Sequence, residues 1–330
     1  MNPLMGAMGM EGLMALGQKG EGDKSEGGNV DGEVEQPTIS PEMLAVFNAV
    51  EAEDLEQLEK ALGAISDVNE SDPFARTALM KATVEGRESV VDYLLEKSAD
   101  PNRQDDEGNT SVIMAVGQSY ESLLKKMLDK GGDIDICNKQ GTTCLMKAIQ
   151  RGCMDMAQFL IDQKADVHHR TRAGKTALSM AIEKGNKPAA ELLIGCGAKV
   201  DEADDLGVTP LFAAAFRNDC SMMKLLLENG LSAKHQSKAG RTPLMMAIDS
   251  HLCKLEAVQL LLDAEADPNA QERFGMTALM MAAEKSDGEE LVKALLKAGA
   301  DVKLEDKKKR TAFTIAQEEG NTALAELLAP

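Results

Sequence analysis

Apolar residues in this chain come in short bursts with helical spacing, and the bursts recur. Leu44, Phe47, Ala49 and Val50 form a first stripe, and Leu55, Leu58 and Leu62 form a second. Ser40-Pro41-Glu42 precedes them as a helix start: serine caps, proline fits the first turn, and glutamate suits the positive end. From residue 77 onward the pattern becomes regular. Leu79, Leu145, Leu178, Leu211, Leu244 and Leu279 each follow a threonine by two places. A second burst in each stretch closes on a pair such as Leu94-Leu95, Leu160-Ile161, Leu226-Leu227 or Leu295-Leu296. The pattern predicts pairs of short helices separated by polar turns.

The threonines are Thr77, Thr110, Thr143, Thr176, Thr209, Thr242, Thr277 and Thr311, with steps of 33, 33, 33, 33, 33, 35 and 34 residues. Five residues after each stands an alanine: Ala82, Ala115, Ala148, Ala181, Ala214, Ala247, Ala282 and Ala316. A sustained period of this length predicts a stacked array of repeats rather than a single globular core. The threonine is expected to cap the first helix of each unit. The alanine is expected where two helices approach too closely for a larger side chain. Glycine stands two residues before the threonine in six of the eight units, which suits a turn with positive φ. The 35-residue step predicts two extra residues near His251-Leu252-Cys253-Lys254, in the loop between helices.

This grammar resembles the ankyrin repeat. The family pattern D-x-x-G-x-T-P-L-H-x-A is visible in Asp204-Asp205-Leu206-Gly207-Val208-Thr209-Pro210-Leu211-Phe212-Ala213-Ala214. The histidine of that pattern is replaced in every unit, by Met80, Ile113, Met146, Ser179, Phe212, Met245, Met280 and Thr314. Apolar packing is expected to stand in for the histidine network. The resemblance implies an all-α helix-turn-helix solenoid with short β-hairpin loops. Residues 1–37 read as a glycine-, methionine- and acid-rich disordered tail, and 38–330 as the array. Within it, 41–68 form an N-terminal cap, 69–302 the repeats and 303–330 a C-terminal cap unit.

Composition narrows the function. Aromatics make up 3% of the chain, tryptophan is missing, and leucine, alanine and 20 methionines are left to fill thin layers. The net charge is −19, of which residues 1–42 carry −6. Nucleic-acid binding draws on clustered Lys and Arg, so neither nucleic acid nor an anionic membrane is expected as partner. No apolar run approaches a membrane span, and the N-terminus has neither a basic n-region nor a continuous apolar h-region. Six cysteines without a CxxC pair are expected to be reduced thiols, and a cytoplasmic location is expected. No catalytic signature, phosphate-cradling loop or metal-ligand spacing is present, so no enzyme activity, cofactor or metal is expected. His168-His169 are expected on opposite faces of an extended arm, a poor metal pair. Met5, Met8, Met10 and Met14 form a cluster that reads as flexible tail or as docking peptide, with Gly6, Gly9 and Gly12 opposing a helix.

The resemblance implies that hairpin tips and first helices line a concave partner-binding face. The candidate contact residues are Phe74, Arg76, Lys139, Arg172, Lys175, Leu206, Lys238, Arg241, Arg273 and Phe274. Arginine and aromatic side chains at a rim have the composition of interface hot spots. Bases on most tips of an acidic protein point to an acidic or extended segment of another protein. The expected function is a monomeric, non-enzymatic binding scaffold or adaptor; the alternative is a regulatory inhibitor that masks the active or binding surface of one partner. The resemblance also implies that asparagines at the position of Asn69, Asn102 and Asn269 can be hydroxylated in some members, although local turn bonding accounts for asparagine there.

Overall fold

The computed structural model describes residues 39–329; the tail at 1–37, with its methionine cluster, lies outside them. Among the described residues there are eighteen helices and no strand. They form nine consecutive pairs. The first pair is α1 (Pro41–Ala52) and α2 (Leu55–Leu62). Units one to eight follow, named here by their threonines. Their first helices are α3 (Ala78–Glu85), α5 (Ser111–Gln118), α7 (Cys144–Arg151), α9 (Ala177–Glu183), α11 (Pro210–Phe216), α13 (Pro243–Asp249), α15 (Ala278–Ala283) and α17 (Ala312–Glu318). Their second helices are α4 (Glu88–Glu96), α6 (Glu121–Asp129), α8 (Met154–Asp162), α10 (Lys187–Gly195), α12 (Cys220–Glu228), α14 (Leu255–Asp263), α16 (Glu289–Lys297) and α18 (Thr322–Leu328).

Local chemistry starts each unit. Seven of the eight threonine hydroxyls accept a hydrogen bond from the backbone N–H three residues on, as Thr77 does from Met80 at 3.3 Å and Thr110 from Ile113 at 3.2 Å. Thr209 is the exception to the capping role expected for it. There the Phe212 N–H turns to the Thr209 carbonyl at 3.0 Å, and the buried hydroxyl is left without a partner. All eight alanines are fully buried. The residues in the histidine position divide into two groups. Met80, Ile113, Met146, Phe212, Met245 and Met280 are core residues. Ser179 and Thr314 accept from the backbone N–H of Thr176 and Thr311, at 3.0 and 2.8 Å, closing a reciprocal cap, and the sulfur of buried Met80 accepts likewise from the Thr77 N–H at 3.4 Å.

Neighbouring first helices approach one another more closely than neighbouring second helices do. In the ankyrin resemblance these first helices are the ones expected to line the inner face. Between pairs the chain folds back in a tight turn. In unit one the Asp72 N–H donates to the Arg76 carbonyl at 3.0 Å and the Ala75 N–H to the Asp72 carbonyl at 2.9 Å. These turns are hairpin-like but too short to count as strands; among the described residues the one ladder pairing is an isolated antiparallel bridge, Ser71 with Thr77.

The tips are joined in series. Asp106 N–H donates to Phe74 O, Lys139 to Glu107, Arg172 to Gln140, Asp205 to Ala173, Lys238 to Leu206, Arg273 to Ala239 and Lys307 to Phe274. This rail explains the glycines. At Gly108 an added Cβ would lie 2.7 Å from the Lys139 nitrogen of the next tip, and φ there is +79°. A second series runs along the opposite loops. The Asn102 side chain donates to the Gly131 carbonyl at 2.9 Å and accepts from the Asp133 N–H at 2.8 Å; Asn269 repeats this with Gly299 and Asp301. These bonds account for asparagine at the position structurally. The two-residue insertion is held by buried Asn218, which donates to the Ala247 carbonyl at 3.1 Å and accepts from the Lys254 N–H at 2.9 Å.

Candidate protein-binding surface

Each tip is built on one side chain at the turn's first residue. Asp72 Oδ1 accepts from the N–H groups of Phe74 and Arg76, both at 2.9 Å. Asp105, Asn138, Asp204, Glu272 and Asp306 do the same in their units. The next two residues are thereby held outward, and the rail fixes each tip against the one before. Phe74, Leu206 and Phe274 occupy one equivalent outward position and are 48%, 50% and 55% exposed. Two of them are stacked by a neighbouring cation: Arg76 lies 5.0 Å from the Phe74 ring and Arg273 lies 4.6 Å from the Phe274 ring.

The ten sequence candidates fall into two classes of cation and three apolar residues. Arg76 pairs with Asp72 at 2.6 Å, Lys175 with Glu183 at 3.2 Å, and Arg241 with Asp249. Arg310 repeats the arrangement, reaching Asp306 at 2.8 Å and Glu318 at 3.1 Å. In units four, six and eight the residue before the threonine therefore clamps an acid at the end of the first helix. Lys139, Arg172, Lys238 and Arg273 stand one place earlier on the tip than the exposed apolar position. All four are exposed, and among the described residues none makes an ion pair within 4 Å. They belong to tips three, four, six and seven, with Lys307 following in tip eight.

Unit seven breaks the clamp pattern. Met276 stands where a base stands in units four, six and eight, and Glu284 is the acid left opposite it. Burial raises the Glu284 carboxyl above the usual carboxylate range, and the nearby acids Glu319, Asp249 and Asp306 push the same way against the pull of Arg310. The cysteines are free thiols. Burial in α7 pushes the Cys144 thiol up to about 12, which leaves it un-ionised and inert as a nucleophile. His168 is exposed and His169 half-buried. His235 Nε2 lies 3.0 Å from the Gly207 carbonyl oxygen, with its ring edge-on to Phe212 at 6.1 Å, a packing role between units five and six.

One feature of the inner face went unread in the sequence. Val84 stands seven residues after its threonine and is 44% exposed. The same position holds Gly117, Gln150, Glu183, Phe216, Asp249, Glu284 and Glu318 elsewhere. Phe216 is half-buried in unit five, and an apolar residue at this otherwise non-apolar position was the signal available for exposed Val84. Val84 borders a cleft of about 210 Å³ at the N-terminal end of the row.

Among the described residues no helix is long and apolar enough to cross a membrane. No curated protein matches the chain. A family model described as "Ankyrin repeats (3 copies)" matches it four times in overlapping stretches, at residues 46–131, 112–204, 185–272 and 252–330. Repeats of this kind generally mediate protein–protein interaction and are typically non-enzymatic. Capped threonines, buried alanines, serial tips and these matches together place the chain in the ankyrin-repeat family.

Proposed function

We propose that the chain is a monomeric, cytoplasmic, non-enzymatic scaffold or adaptor that holds an acidic, extended segment of another protein along its tips and inner helices. The observation that supports this reading is the set of exposed tip cations without an acid of their own. Lys139, Arg172, Lys238 and Arg273 project from a chain of net charge −19. Leu206 and Phe274 stand beside them as exposed apolar contacts. Charge gives such a surface its steering and selectivity, while the buried apolar anchors give most of the residence time. Because the tips are linked by backbone bonds, a bound segment meets a surface that is already ordered, which lowers the entropic cost of binding.

The test uses a fluorescent 15-residue peptide of alternating glutamate and leucine as probe. Binding to the full chain is expected to weaken as salt rises. Reversal of the four cations to glutamate is expected to weaken it about tenfold or more, equivalent to roughly 1.4 kcal/mol, with helicity unchanged. The mutated side chains are exposed, so the fold gives no reason for them to act through stability. Equal affinity of the parent and the reversed variant would overturn the reading.

A further inference from the structure

The inner face is not uniform along the row. At its N-terminal end, the first pair and units one and two enclose the cleft of about 210 Å³. Its apolar walls are Phe47 from α1, Met80 and Val84 from α3, and Met114 from α5. Farther along, the register position of Val84 is acidic in four units, at Glu183, Asp249, Glu284 and Glu318, three of them clamped by bases of their own units, and in unit five it holds Phe216, which is half-buried where Val84 is exposed. The volume matches one large side chain. Three charged residues complete the lining: Arg76, Lys81 and Glu85.

Those charges differ in what they leave available. Lys81 is held between Glu85 at 2.7 Å and Glu51 at 3.4 Å. Its ammonium also lies 5.7 Å from the Phe47 ring. Arg76 uses Nε and Nη2 on a single oxygen of Asp72, at 2.7 and 2.6 Å. Asp72 itself is buried, so the guanidinium is anchored at one end, while about half of the Arg76 side chain stays exposed and Nη1 makes no hydrogen bond among the described residues. Phe74 stacks on its other side and is itself exposed. A carboxylate arriving at the cleft's rim meets a pre-oriented arginine, the geometry that favours bidentate or charge-assisted recognition.

We infer that this cleft is the anchor site of the array: it takes one large apolar side chain of a partner peptide, with an aspartate or glutamate of the same peptide, one or two residues away, on Arg76. The inference rests on the reading of the chain as a protein-binding array and deepens it, since it names the residue pair the partner must carry. It uses a different end of the surface from the unpaired tip cations. A peptide anchored here and running toward the C-terminal units passes Lys139 and Arg172 next.

The test is a selection from a random 12-residue peptide library displayed on ribosomes, with the full chain immobilised. Enriched peptides are expected to share Leu, Met or Phe within two residues of Asp or Glu. The best of them, synthesised and titrated by fluorescence anisotropy, is expected to lose about tenfold in affinity to Val84→Glu and several-fold to Arg76→Gln. It is expected to keep most of its affinity for the variant reversed at Lys139, Arg172, Lys238 and Arg273. Val84 is exposed, and an unchanged melting curve of Val84→Glu separates loss of the site from loss of the fold. A library that yields no binder, peptides without the apolar–acidic pair, or equal binding to Val84→Glu overturns the inference. Peptides that fail only on the four-cation variant overturn the cleft while supporting the tips.

Discussion

Ala75 and Lys309 occupy the turn position that is glycine in the other six units, and both adopt a left-handed backbone, with φ of 59° and 64°. The two are tolerated differently. Lys309 belongs to tip eight, and among the described residues no later tip meets its side chain. Ala75 lies beneath the tip of unit two, whose Asp106 N–H still reaches the Phe74 carbonyl at 3.0 Å. A β-carbon in this region costs about 1–2 kcal/mol, partly offset by the unfolded-state freedom that glycine adds. Ala75→Gly is therefore expected to raise stability by up to about 1 kcal/mol in urea denaturation. A destabilised variant would contradict the strain. The glycines, threonines and alanines were readable in the sequence because each answers a local need that recurs at every unit. The ion pairs were not readable. Arg241 meets Asp249 and Lys175 meets Glu183 across eight residues and a change from turn to helix. Nothing in the spacing alone says that those two positions face each other.

At the scale of elements, the first helices carry the fold. Each is only six to eight residues long in units one to eight, too short to persist alone in water. Each is stabilised by its partner and by the first helices on either side, with the alanine at the point of contact. Ala181 in α9 is fully buried between units three and five. Ala181→Phe forces a ring into that close approach, which overpacks two interfaces at once. A loss of about 3 kcal/mol or more is expected, with a broadened transition by circular dichroism. A variant melting like the parent would contradict the packing. The sequence located these helices well because the 3.6-residue pattern and the punctuating glycines agree. It located the cleft poorly, since Phe47, Val84 and Met114 come from three elements and only their stacking makes them one wall.

For the array as a whole, the tip-to-tip backbone bond recurs at each junction between units one and eight, so removal of one period should leave the rest in register. Deletion of Thr143–Lys175, a stretch of 33 residues, joins Thr142 to Thr176 in phase. The shortened chain is expected to fold, with unchanged ellipticity per residue and a modestly lower melting temperature. Deleting 30 residues from the same point shifts the phase and is expected to abolish cooperative melting. An in-phase deletion that fails to fold would show that coupling extends beyond nearest neighbours.

The amide of each tip donates to the carbonyl of the tip before it, always in the same direction. A chain joined this way has a head and a tail but no privileged middle. Its span is then open to inheritance by the copying or loss of a stretch of gene, and a lineage adjusts how far it reaches along a partner without composing a new interior.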